Sequence, residues 1–364
     1  MLVLRASARP LRSLGEVEVE LPAGVCGVVG ENGTGKTNLL EAIYFALTGR
    51  SFRTSERREM IPFGEALARA AATVRSEEGE HSFMASVSRS EGRRHLLDGA
   101  PVEARTAARH RPPAAVFSPD RLALVKGPPA ERRAHLDLFV AARWPARASL
   151  RREFGQALAQ RNALLSRIGA GAAGAGELDS WDATLAAAAA ELVAAREAAV
   201  LEIASHFPAI SSELGLPGEA ALVYAPRAAG DAERLLAGLA ERRQGDLRLG
   251  RTSWGPHLDE VRIESSARSL RRYGSQGQQR LALLALLFAE REALRQASGV
   301  LPLMLLDDVL SELDDRRRGL LAERLRGGGQ ALLTTSDAGS LPPGLAGEAI
   351  RMPGAARAPR AVAA

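Results

Sequence analysis

Eight consecutive residues, Gly30-Glu31-Asn32-Gly33-Thr34-Gly35-Lys36-Thr37, constrain the fold of this 364-residue chain more than any other stretch. They fit the pattern G-x-x-x-x-G-K-[ST], which has a mechanism in one setting: a buried strand leads in and a helix leads out. Gly24 to Val29 is a short apolar run of the kind a buried parallel strand shows. A helix is predicted from Lys36 to Thr48, with Leu39, Leu40, Ile43 and Leu47 on one face and Gly49 as its stop. The glycines let the backbone curl until its N–H groups point at phosphate oxygens. The helix start adds the positive end of its dipole. Lys36 then bridges the β- and γ-phosphates of ATP, and the Thr37 hydroxyl ligates Mg²⁺.

Composition adds weight to Lys36. The chain has 48 basic residues, of which only Lys36 and Lys126 are lysines. A lysine kept among so many arginines suits a place where a compact ammonium must sit between phosphate oxygens. The net charge of +5 permits a nucleic-acid partner without requiring one. Cys26 is the single cysteine and lies in an apolar run, so no internal disulfide forms and it reads as a small buried hydrophobe. No stretch has the ~20 apolar residues of a membrane span, and no secretory leader is visible, so a cytoplasmic protein with no membrane partner is expected.

Along the chain, Glu16 to Leu21 and His81 to Arg89 alternate like strands, and Asp98-Gly99 marks a hairpin turn. Pro129 to Arg243 reads as helical and alanine-rich, broken at Gly169–Gly176. Strands are predicted at Glu260–Glu264, Leu301–Leu306 and Gln330–Thr335, and a helix at Gln276–Gln296. The tail from Pro353 has a disordered composition. The expected architecture is α/β: one lobe from 1–120 and 300–352, interrupted by a helical lobe at 121–299, with a tail at 353–364 and no long coiled coil.

Two further motifs follow the phosphate loop. Leu303-Met304-Leu305-Leu306-Asp307-Asp308 is an apolar strand ending in two carboxylates. Asp307 would hold Mg²⁺ directly or through water, and Asp308 would orient or deprotonate the attacking water. The alternative is that both carboxylates only cap the next helix. Ser275-Gln276-Gly277-Gln278-Gln279 opens the helix before that strand, and Ser275 with Gln278 also fits a reciprocal helix cap. Ser311-Glu312-Leu313-Asp314 comes just after the acidic pair.

GENGTGKTN, SQGQQ, LLDD and SELD, in that order, resemble an ABC-type ATPase head of the SMC-related branch, and most closely the RecF family of bacterial recombination mediators. Arg50–Thr54, Phe117–Asp120, Val125–Gly127 with Glu131–Arg133, Gln160–Leu165 and Gly255–His257 extend the resemblance along nearly the whole chain. The resemblance implies that Gly30 to Thr37 and Asn38 hold ATP. It also implies that Ser275, Gln276, Gly277 and Gln278 cover the γ-phosphate of ATP on a partner chain, and that Asp314 helps close the interface. Thr335 stands where many relatives have a histidine. With Lys36 it names Asp308 as catalytic; Asp308 is one methylene shorter than the glutamate of transporter-type relatives, which implies slow hydrolysis. It further implies an ATP-dependent homodimer on gapped DNA and single-strand/double-strand junctions, acting with RecR, RecO and the RecA recombinase.

Other readings remain open from the residues. A transporter subunit is disfavoured by SQGQQ and Asp308, and an SMC-type arm by the lack of sustained heptads. A DNA clamp in which ATP serves only assembly stays open. The pairs Arg57-Arg58, Arg132-Arg133 and Arg271-Arg272 are candidates for DNA phosphate contacts, and Trp254 and His257 read as packing.

Overall fold

The computed structural model describes residues 1–341 and 349–352, so the predicted tail lies outside the described residues. The strands are β1 (Leu2–Ala8), β2 (Val17–Glu20), β3 (Val25–Val29), β4 (Leu67–Ser76), β5 (Gly79–Ser88), β6 (Gly92–Leu97) and β7 (Ala100–Pro101). They continue with β8 (Ala114–Phe117), β9 (Ala220–Ala225), β10 (Glu260–Ser265), β11 (Arg268–Ser269), β12 (Leu303–Leu306), β13 (Ala331–Thr335) and β14 (Ala349–Arg351). The chain divides into two compact units. One holds Met1–Leu122, Glu213–Gly215 and Leu294–Ala364, and the other Ala123–Ser212 and Leu216–Ala293.

The first unit contains two sheets. One is parallel throughout, in the order β14-β3-β13-β12-β8. The residues of β12 and β13 are all buried, which is why they read as continuous apolar runs rather than alternating ones. The other sheet is antiparallel, in the order β2-β1-β4-β5-β6-β7. The Lys36–Thr48 helix packs against β4 and β5 of this sheet and β13 of the parallel one. Leu39, Leu40, Ile43, Phe45 and Leu47 are fully buried on it, each contributing about 1.5–3 kcal/mol. Glycine brackets both ends: Gly35 has φ 94°, and Gly49, at φ 65°, donates its N–H to Phe45 O.

β4 is a finding the sequence reading lacked. Its LARAAATVRS has the composition of a helix, yet it pairs with β1 on one side and along ten residues with β5 on the other. β9 likewise falls inside the stretch expected to be helical.

The second unit combines the helices Pro129–Arg143, Leu150–Gly169, Leu178–Ala204 and Ala232–Leu249 with a three-stranded antiparallel sheet, β11-β10-β9. Buried ion networks join these parts. Arg161 is fully buried and donates to Asp182 (2.6 Å), Asp246 (2.7 Å) and the Thr252 hydroxyl (2.8 Å). Arg196 holds Asp137 through two nitrogens (2.8 and 3.0 Å) and reaches Asp259 (3.1 Å). Replacing one partner of such a network leaves an uncompensated charge in a water-poor site. Arg161→Met is expected to lower the unfolding free energy by about 3–5 kcal/mol, read by urea titration of the purified chain.

Candidate functional site

The site is assembled at the carboxyl ends of the parallel strands. β3 runs directly into the phosphate loop, and the Gly30 N–H donates to Thr335 O (3.3 Å) across the β3–β13 pairing. Gly33 (φ 84°) and Gly35 (φ 94°) take the left-handed conformation that only glycine adopts without strain. At Gly35 a Cβ would also crowd a Leu14 methyl at 2.5 Å, which would have to move aside. The Thr34 hydroxyl donates to Glu31 O (2.9 Å) and pins the curl. The Lys36 ammonium folds back over the loop and donates to Gly30 O (2.6 Å) and Glu31 O (2.9 Å).

β12 delivers the carboxylates. The Thr37 hydroxyl lies 2.8 and 2.9 Å from the two Asp307 oxygens. The Thr334 hydroxyl, from β13, donates to Asp307 Oδ1 at 2.8 Å. Burial raises the Asp307 pKa, the Thr334 and Thr37 hydroxyls pull it down, and the charge of Asp308 adds to the rise. A buried carboxylate beside a second carboxylate and a hydroxyl is a hard-oxygen donor set, which fits Mg²⁺. Asp308 sits in a left-handed conformation (φ 49°), and its N–H donates to the Thr334 hydroxyl at 2.8 Å. Such conformations cost about 1–3 kcal/mol and gather at functional sites.

The other predicted residues have clear placements. Asn38 donates to the Ser13 hydroxyl (2.7 Å) and accepts from Arg53 (2.9 Å). Ser275 and Gln278 form the reciprocal cap, with Ser275 N–H to Gln278 Oε1 at 2.8 Å and Gln278 N–H to Ser275 Oγ at 3.2 Å. Asp314 caps the Asp315–Arg326 helix by accepting from the Arg317 N–H. Thr335 turns away from the acidic pair, to Asp337 O (3.1 Å) and the Ser340 hydroxyl (2.7 Å). The hydroxyl that reaches Asp307 is its neighbour, Thr334.

The roles of three residues here were not visible in the sequence. Thr334 lies in the predicted strand Gln330–Thr335, but an unalternating buried strand does not reveal which threonine faces the site. Ser118 is buried just beyond β8, where the Asp307 N–H donates to Phe117 O, and its hydroxyl has no hydrogen-bond partner among the described residues. Glu41, fully buried, accepts from the Arg12 guanidinium and the Ser51 hydroxyl, fastening the Arg50–Thr54 segment to the phosphate-loop helix. Of the arginine pairs named as candidates, Arg132 is engaged by Glu260 (2.8 and 3.0 Å) and Arg133 donates to Asp259 O (2.7 Å), so both serve internal contacts. His257 stacks on Phe154, and Trp254 fills the space left by Gly238 and carries Arg242 over its ring, so both pack as expected.

The RecF/RecN/SMC N terminal domain family matches residues 4–342. The chain is 40% identical over 349 residues to DNA replication and repair protein RecF of Anaeromyxobacter sp. (strain Fw109-5), covering 93% of each chain. The chain belongs to the RecF family. RecF of Myxococcus xanthus (strain DK1622) is 37% identical, with 96% of this chain and 94% of that one covered. Among solved structures, the recombination mediator protein RecF with ATP is similar at a TM-score of 0.85, with 28% identity and 92% of each chain covered. An Smc head bound to the winged-helix domain of ScpA, at a TM-score of 0.55 and 18% identity, shares the ABC-type ATPase-head fold.

Asp307 gives a pH test that needs no nucleotide. Its pKa is raised by folding, so its contribution is complete below the ordinary carboxylate pKa of about 3.9 and is lost as pH rises through the folded value. Asp307→Asn is therefore expected to raise the metal-free melting temperature near neutral pH. The gain should vanish below about pH 4, which thermal melts across pH will check.

Proposed function

We propose that the chain is an ATP-dependent, dimerising, DNA-binding ATPase that acts in recombinational repair at single-strand gaps and single-strand/double-strand junctions. The observation that carries the reading is the double contact between Thr37 and Asp307, which seats the end of the acidic strand against the phosphate loop. RecF relatives over nearly the full chain length and a RecF structure with ATP support it.

In this reading Gly30 to Thr37 and Asn38 wrap the triphosphate. The Lys36 ammonium exchanges its two loop carbonyls for β- and γ-phosphate oxygens. Thr37 and Asp307 hold Mg²⁺, which neutralises phosphate charge when bound. The cation also offsets the cost of keeping Asp307 ionised. Asp308, held in a strained backbone conformation by Thr334, orients or deprotonates water, and its short side chain keeps hydrolysis slow. Thr335 keeps the β13 end in place through Ser340.

The SQGQQ residues Ser275, Gln276, Gly277 and Gln278 are assigned to the γ-phosphate of the partner's ATP, with Asp314 at the same interface. Ser275 and Gln278 keep this role while capping their helix, because a capped helix start presents free N–H groups to an anion. Two ATPs are then buried between two chains. ATP acts as the switch for assembly and hydrolysis as its release. RecR and RecO are the proposed partners, and RecA is the recombinase placed on the gap.

On gapped DNA, a dimer-sized footprint is expected with ATP and not without nucleotide. A footprint of that size that persists without ATP would contradict the switch. Asp308→Asn is expected to lower single-turnover hydrolysis about 10²-fold or more while ATP-dependent assembly survives. Equal rates for wild type and Asp308→Asn would instead favour a clamp in which Asp308 does no chemistry.

A further inference from the structure

A second cluster of metal-ligating side chains lies in the antiparallel sheet of the first unit, in none of the motifs above. Glu78 is in the turn between β4 and β5, His81 is on β5, and His110 is in the segment that enters β8 through Pro112 and Pro113. One ligand atom from each lies within 4.8 Å of the other two. The two imidazole rings are 4.6 Å apart and tilted by 58°.

Two features distinguish this cluster from a chance surface grouping. His81 Nε2 and His110 Nδ1 are both buried and have no hydrogen-bond partner among the described residues. Glu78 Oε2 stands 3.4 Å from His110 Nδ1 without the alignment of a hydrogen bond. Buried polar atoms are normally satisfied, so two such nitrogens beside one carboxylate call for a common partner. The second feature is Asp98, at the β6–β7 turn. Its Oδ2 lies 2.9 Å from His81 Nδ1, and its Oδ1 accepts the Ser82 N–H at 2.7 Å. An ionised Asp98 only accepts, so the proton of His81 resides on Nδ1 and the lone pair on Nε2, toward the cluster. A carboxylate behind a histidine in this way is the usual support of a metal ligand.

We propose that Glu78, His81 and His110 bind a divalent transition-metal ion of the zinc class, with Asp98 orienting His81. Two imidazoles and a carboxylate form the donor set of such ions, and water would complete a four-coordinate shell. Bonds of about 2.0–2.1 Å would bring the donors closer together than they now stand. Glu78 supplies that movement, because its side chain is 74% exposed and sits in a turn. The ion would fasten the β4–β5 turn and β5 to the segment entering β8. β8 in turn pairs with β12, the strand that ends at Asp307. The role is structural and touches no reacting atom.

Cobalt(II), whose visible absorption reports four-coordination, is the probe, added to the untagged full-length chain without nucleotide. One equivalent is expected to give the four-coordinate spectrum in wild type and equally in Asp307→Asn, which separates this site from the Mg²⁺ site. Glu78→Gln is expected to weaken binding at least about tenfold and Asp98→Asn about 10–100-fold. His81→Ala with His110→Ala should abolish the spectrum while ATP binding, as a check on folding, is kept. Glu78 is exposed, so Glu78→Gln decides the matter even if the double variant unfolds. Absence of the spectrum in wild type, or unchanged affinity in Glu78→Gln, would overturn the proposal.

Discussion

Two hydrogen bonds between the Thr37 hydroxyl and the Asp307 carboxylate join residues 270 positions apart, and the rest of the site follows from them. They exist because β3, β13 and β12 lie side by side in parallel, with Cys26 opposite Leu332 and Leu332 opposite Leu305. That register brings the end of β3, where the phosphate loop begins, level with the ends of β13 and β12. In open parallel sheets, ligands bind beyond the carboxyl ends of the strands. The sheet order therefore decides where ATP chemistry takes place, and the side chains at the strand ends decide what chemistry it is.

The cost of this arrangement falls on Asp307. Burial disfavours its charge and Asp308 disfavours it further, while the Thr334 and Thr37 hydroxyls, and to a lesser extent the Arg53 charge, stabilise it. A site that holds a carboxylate in this way is less stable without its cation and gains from binding one. The left-handed backbone at Asp308 and the folded-back ammonium of Lys36 are further strains or contacts that a triphosphate would relieve or replace. The phosphate-loop helix is supported by contrast on both sides, because both sheets pack against it and Gly35 and Gly49 define its ends.

Much of this was legible in the sequence, because the signals were local. Gly30 to Thr37 carries its own backbone requirements, and Asp98-Gly99 carries those of a hairpin, which β6 and β7 close at Leu97 and Ala100. What was not legible depended on partners distant in sequence. The alanines of β4 favour a helix in isolation, and only β1 and β5 make a strand of them. The choice of Thr334 over Thr335 depends on which face of β13 meets Asp307, and a fully buried strand hides that. Arg132, Arg161 and Asn162 belong to stretches that carry the family resemblance, yet they serve the internal scaffold of the second unit. A family resemblance marks the residues that build a fold as well as those that react.

The central claim is that the phosphate loop of one chain and the SQGQQ segment of another share each ATP. Solution mass by light scattering tests it most directly, without nucleotide, with ADP and with ATP, for wild type, Lys36→Met and Ser275→Arg. The account predicts that wild type doubles in mass only with ATP and that both variants stay monomeric. A wild type that remains monomeric in ATP, or a Ser275→Arg variant that still dimerises, would contradict it and leave Ser275 as a helix cap alone.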